Sequence, residues 1–555
     1  MQSEPKVFNK GSSQDSLQDV EVTIPKGPGQ LHRQLKNRHI AMISIGGVIG
    51  TGLFVGTANS LAWGGPVGLL LGYIMMGTIV LSVMVSLGEM IAYLPIPGGH
   101  IKLAERFVDP AMSFAMGWNY WYNWTVVAPG DYLLLFILFP IHLTGPSPAE
   151  LSAAAILIDY WHPSVSNAVF VMMCIIVVVT INMLGAGAYG ETEFVFASIK
   201  VLTIIGLIIL GIIIDLGGGP DHDRIGFRYW KNPGPFVQYK NIAGAKGRFL
   251  GWWAVLNNAA FSFIGTEIVA IAAGEAKNPR RNLPKAIRRV YIRVLLFYIL
   301  GTTVIGLLVP SNNQQLVIES GTAASPFVIA IQKAGIKSLP SLINACLLSS
   351  AWSAASSDLY TSSRALYGLA ISGNAPRIFA KTSKSGLPYV AVIFCALFTL
   401  LAFMAVSAGA GQVFQWFVNM TSVAGLMTWF GIAVTYIRFH KGLKAQGIDR
   451  KTLPYYTRVQ PFAAWYACIT TFIICLFSGW SVFLKGEWDT ATFVTTYLPF
   501  IFFPILYVSS RLYYRIPPVK PHEMDFVSDI AQIEADEVDD PPPKNKLEAF
   551  WRWLM

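Results

Sequence analysis

Charge is what this sequence has least of. Only 13% of its 555 residues are Asp, Glu, Lys or Arg, against 54% hydrophobic, and the mean hydropathy is +0.50. Soluble domains carry about 25% charged residues, so the deficit excludes a chain solvated mainly by water. The five cysteines (Cys174, Cys346, Cys395, Cys468, Cys475) fall in apolar stretches without paired spacing, which leaves neither a disulfide framework nor a thiolate metal site. Eight histidines show no H-x-x-x-H or H-E-x-x-H spacing, and no G-x-x-x-x-G-K-[ST] occurs. Zinc hydrolysis and ATP-driven pumping therefore have no footing, and neither an enzyme nor a cofactor is expected. GAGAYG at 185–190 joins two apolar spans and lacks the strand–helix context of a nucleotide loop. The formal charge of +10 is spread over short stretches between apolar spans, with no single basic face, which argues against nucleic acid as a partner. No short apolar core with a cleavage site leads the chain, so the first transmembrane helix is expected to do the targeting.

What is present is a succession of apolar runs. A run of about 20 such residues crosses a bilayer as a helix. Runs of this kind fall at 40–60, 67–93, 110–139, 167–184, 192–216, 249–273, 293–310, 340–371, 388–407, 414–436, 461–484 and 492–513. The chain reads as an all-α membrane protein of about twelve transmembrane helices. A cytosolic tail is expected over 1–38, a transmembrane domain over 39–515 and a second cytosolic tail over 516–555. Segment 8 contains SSAWSAASSDLYTSS, too polar to face lipid, so it must line something. Asn-x-Ser/Thr triplets at Asn123 and Asn419 lie inside spans, where they cannot be glycosylated.

Lys and Arg set the orientation. The loop after segment 6 contains Lys277, Arg280, Arg281, Lys285, Arg288, Arg289 and Arg293, and the loop after segment 10 contains Arg438, Lys441, Lys444, Arg450, Lys451 and Arg458. Both are expected in the cytoplasm, and an even helix count places both termini there. The loops after segments 3 and 9 have no Lys or Arg. One loop fits poorly: 217–248 should be external yet carries Arg224, Arg228, Lys231, Lys240, Lys246 and Arg248. The C-terminal tail is acidic around EADEVDDPPP, a composition that favours mobility. Its final LEAFWRWLM reads equally as a membrane-surface helix or as a docking peptide.

Two spans carry the chemistry. Segment 1 contains IGGVIGTGLF, with Gly46, Gly47, Gly50 and Gly52 at its middle. Small residues allow close helix packing. Four glycines in seven residues also favour a helix break, whose freed N–H groups attract anions and in secondary transporters receive a substrate carboxylate. Segment 6 repeats the theme with AFSFIGTEIV, where Gly265 follows two aromatics and Glu267 lies in an apolar run. A carboxylate at membrane depth is a functional candidate by default, with a helix-contact hydrogen bond as the alternative. Breaks at matching places in two five-helix halves point to an inverted repeat.

GGPVGLLLGYIMMGTIVLSVMVSLGEMIAYLP, from Gly64 to Pro95, resembles the amino-acid permease signature, including Gly88, Glu89 and Pro95. With IGGVIGTGLF and FSFIGTE, the chain resembles the fungal amino-acid permeases of the amino acid–polyamine–organocation superfamily from about Leu31 to Lys520. GFRYWKNPGPF (226–236) and SFIGTEIVAIAAGEAKNPRRNLPKAIRRVYIR are similar to the dicarboxylic branch. The resemblance implies five plus five inverted helices with two appended, and helices 1 and 6 discontinuous. It implies that the backbone around Ile49, Gly50, Thr51 and Gly52 receives the substrate carboxylate, while Phe261, Ser262 and Phe263 meet the rest of the substrate. Glu267 matches the segment-6 glutamate linked to proton coupling. Lys200 matches the segment-5 lysine that stands where sodium binds in other relatives; a lysine snorkelling to the interface is the alternative. Asp131, in WTVVAPGDYLLL, matches a segment-3 position that is acidic in general and cationic permeases. Facing the substrate, it would repel a second carboxylate. Asp358 in segment 8 is a second-rank candidate. Glu89 reads as an intracellular gate or as a structural salt bridge beside HIKLAERFVD (100–109).

The expected function is proton-coupled import of amino acids across the plasma membrane, with Asp and Glu as the substrates implied by the dicarboxylic branch. A broad-specificity permease and a non-transporting amino-acid sensor on the same fold are the alternatives. Expected partners are the amino acid, the proton, the lipid bilayer and, through Lys6 and Lys10 in the N-terminal tail, a ubiquitin ligase.

Overall fold

A computed structural model describes residues 49–96, 98–125, 149–161, 164–268, 290–316, 325–403 and 410–535, together with Met42, Arg280, Ile287 and Asn545. In an apolar surrounding each unpaired backbone N–H or C=O costs several kcal/mol, so long apolar runs resolve into helices that satisfy their own backbone. The described residues are accordingly helical, without a strand. In chain order they form α1 (Thr51–Phe54), α2 (Gly56–Tyr93), α3 (Gly99–Phe107), α4 (Pro110–Thr125), α5 (Ala149–Asp159), α6 (Asn167–Met183), α7 (Ala186–Asp215) and α8 (Gly244–Phe263). The second half adds α9 (Val290–Leu308), α10 (Pro326–Lys333), α11 (Leu339–Ile371), α12 (Tyr389–Thr399), α13 (Ala410–Ala445), α14 (Phe462–Leu476) and α15 (Thr490–Tyr514). Large apolar side chains such as Val169, Ile176, Leu202, Ile209, Ile469 and Leu512 are exposed along α6, α7, α14 and α15, a periphery suited to lipid.

α2 is two helices end to end. Gly65 has φ 72°, and Pro66 restarts the helix after it. A Cβ on Gly65 would lie 2.8 Å from the Pro235 carbonyl oxygen, which also accepts the Val67 N–H at 3.0 Å. Only glycine fits this turn. On both sides of this turn α2 packs on α8 through glycines: a Cβ on either Gly64 or Gly72 would meet Val255 at 2.6 Å. Such close approach is how membrane helices gain contact when lipid offers no hydrophobic drive.

Several boundaries differ from the sequence expectation. Of segment 3 (110–139), the described residues 110–125 form α4; α5, beginning at Ala149, falls in a stretch not expected to be a helix, and both pack against α11 and α13. Asp131 lies outside the described residues. Segment 5 starts at Ala186 instead of 192, which sets Lys200 about four turns deep and removes the snorkelling alternative, since Lys200 is 1% exposed. Segment 10 runs on to Ala445, nine residues beyond its apolar stretch. In the 217–248 loop, Arg228 makes a bidentate pair with Asp223 at 2.6 Å and Lys240 pairs with Glu487. Part of its positive charge is thus neutralised locally.

Residues 519–535, at the start of the C-terminal tail, are packed against the bundle, while most of the acidic stretch expected to be mobile lies outside the described residues. The Phe526 ring is buried among Tyr93, Phe107 and Phe439. Arg106 of α3 bonds Asp529 at 2.8 Å and Asp525 at 3.1 Å. Tyr93 donates to the Phe526 carbonyl at 2.9 Å, and Gln446 to that of Met524 at 2.7 Å. Arg280 reaches Glu534 at 3.6 Å. Partial burial opposes ionisation of Asp525, but the Ser528 and Val527 N–H groups and Arg106 hold it down to about 2. A depressed carboxyl contributes stability above its unfolded pKa and loses it only as pH falls through the folded value. Docking should therefore be insensitive to pH between 5 and 8. Phe526→Ala should weaken it by about 3 kcal/mol, read as rapid protease cleavage near residue 520 in the detergent-purified protein. Cleavage as slow as in the unaltered chain would show that the ring does not hold the tail.

Candidate functional site

Gly50 is extended (φ −116°, ψ −161°), so helix begins only at Thr51. The first N–H groups of a helix have no carbonyl a turn behind them. Here the Thr51 N–H finds the Glu150 carboxylate, with Oε2 at 3.4 Å, and the Ile49 carbonyl accepts Ser350 Oγ at 3.3 Å. Glycine is required on this stretch by closeness: a Cβ at Gly52 would sit 2.8 Å from the Ser262 Cα, and one at Gly50 would sit 2.7 Å from Glu150 Oε1. Opposite, α8 stops at Phe263. Ile264 turns outward (ψ 143°), Gly265 takes φ 93°, and residues 264–267 form a turn. Both interruptions expected from the glycines are present, and they face each other.

Between them lies a cavity of about 50 Å³. Gly50, Gly52, Phe261 and Ser262 line it, with Asn123 and Trp124 from α4, Glu150 from α5, Ser357 and Asp358 from α11, and Thr421 from α13. Two carboxylates line it, and no Lys or Arg does so among the described residues. Ser262 Oγ is set by Tyr73 OH at 2.8 Å and donates to the Asn258 carbonyl at 3.1 Å. Phe263 does not line the cavity: its ring is fully buried and stacks on Tyr298 with centroids 4.2 Å apart. Ile49 likewise contributes backbone while its side chain packs into the core.

Glu267, the last residue of that turn, is fully buried, with Trp429 Nε1 donating to Oε2 at 3.1 Å and Oε1 without a hydrogen-bond partner among the described residues. Arg293, also buried, bonds Thr266 Oγ1 at 2.9 Å. Lys200 Nζ stands 3.9 Å from Glu193 Oε1, a carboxylate on its own helix. Glu89 lies elsewhere, at the α3 end of α2. It accepts from Tyr436 OH, from both the N–H and Oγ1 of Thr457 at 2.8 Å, and pairs with Arg450 at 3.2 Å. Segment 8 earns its serines: Ser350 bonds the break, Ser353 bonds Glu193, Ser356 accepts Asn182, and Ser357 meets Tyr189. An amide chain also ties α2, α8 and α13, running from Asn59 to Gln415 (3.0 Å), then to Asn258 (3.2 Å) and Asn419 (3.1 Å).

Sequence reading missed Glu150 and Glu193. The signal for Glu150 was a carboxylate heading AELSAAAILID, an apolar run left unassigned between segments 3 and 4. The motif GFRYWKNPGPF sits away from the cavity. Its Pro235 and Phe236 pack on the Gly65 turn, and Trp230 donates to the Gly306 carbonyl at 3.0 Å.

Known proteins with this pattern are transporters. The family model described as amino acid permease matches residues 39–522. The chain is 41% identical to a proline-specific permease of Emericella nidulans, over 94% of this chain and 93% of the relative. It is 40% identical to the dicarboxylic amino acid permease of Saccharomyces cerevisiae, over 93% and 83%, and 40% identical to the lysine-specific permease of the same yeast, over 94% and 82%. With a match of that extent, the chain belongs to the amino acid permease family, whose members are membrane transporters and not enzymes.

Proposed function

We propose that this protein imports amino acids across the plasma membrane together with protons, with both termini in the cytoplasm. The observation that carries the reading is the pair of facing helix breaks around a cavity that holds two carboxylates. The substrate α-carboxylate docks on the N–H groups at Gly50–Gly52, where backbone donors replace its hydration. There it takes over the Thr51 N–H from the Glu150 carboxylate. The α-ammonium meets the carbonyls that end α8, with Glu150 and Asp358 beside it. Phe261 and Ser262 contact the substrate directly, and Phe263 supports them from behind. Protonation of Glu267 neutralises a carboxylate that is costly at this depth, and the bundle then closes around the site and opens inward. Glu89, pinned to Tyr436, Thr457 and Arg450, closes the cytoplasmic end until those contacts part.

Neutral or cationic amino acids suit this cavity better than acidic ones. A second substrate carboxylate would meet Glu150 and Asp358 with no lining base to receive it. The 40% likeness to a dicarboxylic permease favours the acidic reading, but likeness of equal degree reaches a lysine-specific one. The branch motif at 226–236 supports a scaffold turn and not the cavity.

Uptake of labelled proline, lysine, leucine and glutamate by permease-deficient yeast expressing the chain should be stronger at pH 5 than at pH 7. Glutamate should be the poorest of the four, and Glu150→Gln should narrow its disadvantage at least several-fold. Glutamate as the best substrate would restore the acidic reading. Growth signalling without accumulation of any label would make the protein a sensor. Glu267→Gln is expected to leave exchange of internal for external substrate intact while abolishing accumulation driven by a pH gradient. Unchanged accumulation would sink that role. Gly52→Val must drive α1 away from α8, so uptake should fall more than 100-fold at normal surface abundance; near-normal uptake would place the substrate elsewhere.

A further inference from the structure

α7 carries Glu193 and Lys200 two turns apart, and both are 1% exposed. The Glu193 carboxylate accepts Ser353 Oγ through Oε2 at 2.7 Å, while Oε1 has no hydrogen-bond partner and faces Lys200 Nζ at 3.9 Å. Lys200 Nζ donates to no hydrogen-bond acceptor among the described residues. A buried ion pair gains most by closing to about 2.8 Å. This one is open, and the ammonium also lies within electrostatic reach of Glu150 and Asp358, the two acids that line the cavity. The remaining titratable neighbours are Tyr189, whose hydroxyl meets Ser357 Oγ at 3.0 Å, and Tyr360, stacked on Tyr189 and covered by Arg364.

Three carboxylates thus share one ammonium inside an apolar bundle. An uncompensated buried charge costs several kcal/mol, so the cluster must hold protons, and their number must follow the position of Lys200. We propose that Glu193 is a proton-carrying residue of the transport cycle, exchanging its ionic partner Lys200 for a proton when substrate binds. This rests on the reading of the protein as a proton-coupled importer. The substrate's α-ammonium offsets the charge of Glu150 and Asp358, and its α-carboxylate at Gly50–Gly52 is then the group that draws the lysine stem towards the cavity. Glu193 is left with only the Ser353 hydroxyl and takes one proton from the water of the open cavity, along the Ser357–Tyr189 hydroxyls. When substrate leaves on the inner side, Lys200 returns and the proton departs into the cytoplasm. One proton enters and one leaves for each substrate carboxylate; Glu193 holds it with substrate in the open site and Glu267 as the bundle closes, so the two acids carry the same proton in turn.

The test uses the full chain in proteoliposomes, with labelled L-proline, L-lysine and L-glutamate each as probe. With one proton per substrate, an inside-alkaline gradient of one pH unit drives about tenfold accumulation, since each pH unit and each tenfold ratio correspond to ~1.4 kcal/mol. Glu193→Gln should retain exchange without a gradient to within twofold, while accumulation falls to near unity. Glu193→Asp should restore part of it. Ser353→Ala removes a donor to the ionised carboxylate and should move the pH midpoint of accumulation upward by about half to one unit. Tenfold accumulation by Glu193→Gln, or loss of exchange in a variant that still melts like the unaltered protein, overturns the proposal. If Glu193→Gln fails to fold, an unmoved midpoint in Ser353→Ala overturns it instead. Failure of the unaltered chain to accumulate any of the three probes would overturn the import reading itself.

Discussion

The amide groups that open α1 have no carbonyl behind them, and in an apolar medium each such group left bare costs several kcal/mol. Everything around the cavity answers that debt. Glu150 supplies an acceptor to Thr51, Ser350 supplies a donor to the Ile49 carbonyl, and Gly52 lets α8 approach until Ser262 touches the backbone. Once an irregular backbone is tolerated at mid-bundle, the elements beside it must be polar on the facing side. This is why α11 alternates small apolar residues with serines that each bond a different neighbour. The cavity is a by-product of that requirement and also its use.

Charge follows the same logic. Lys200, Arg293, Glu150, Glu193 and Glu267 are buried, and Asp358 half-buried, among helices that present exposed apolar side chains to their surroundings. Low dielectric makes each pairwise interaction strong and each unpaired charge expensive. Among the described residues the acids outnumber the bases near the cavity, so on the proposed reading a bound substrate and a bound proton act on the same charge balance. Glu89 shows the contrast: with Tyr436, Thr457 and Arg450 around it, its acceptors are filled, and it behaves as a fastening.

How much of this was legible in the sequence depended on whether a feature was local. The glycines at 50, 52 and 265 marked both breaks, because close packing and left-handed backbone leave a residue-level trace. The serines of 349–363 marked a helix that could not face lipid. Depth was misread for Lys200, since the polar stretch GAGAYGETE hid a helix start at Ala186. Asp131 lies outside the described residues, and Glu150, a carboxylate that reaches the cavity, was passed over because it heads a run only eleven residues long. Pairing across helices, such as Glu193 with Ser353, leaves no periodic signature at all. The motif at 226–236 illustrates a different gap: it is conspicuous in sequence, yet its residues brace the Gly65 turn, so it reports lineage and not selectivity.

The docked segment at 519–535 is also the last described part of the chain to be made. Until it emerges from the ribosome, the aromatic rings of Phe107 and Phe439 lack the Phe526 ring that covers them, and Arg106 lacks Asp525 and Asp529. A chain that stops short of residue 519 therefore displays an uncovered aromatic seat that one reaching residue 535 does not.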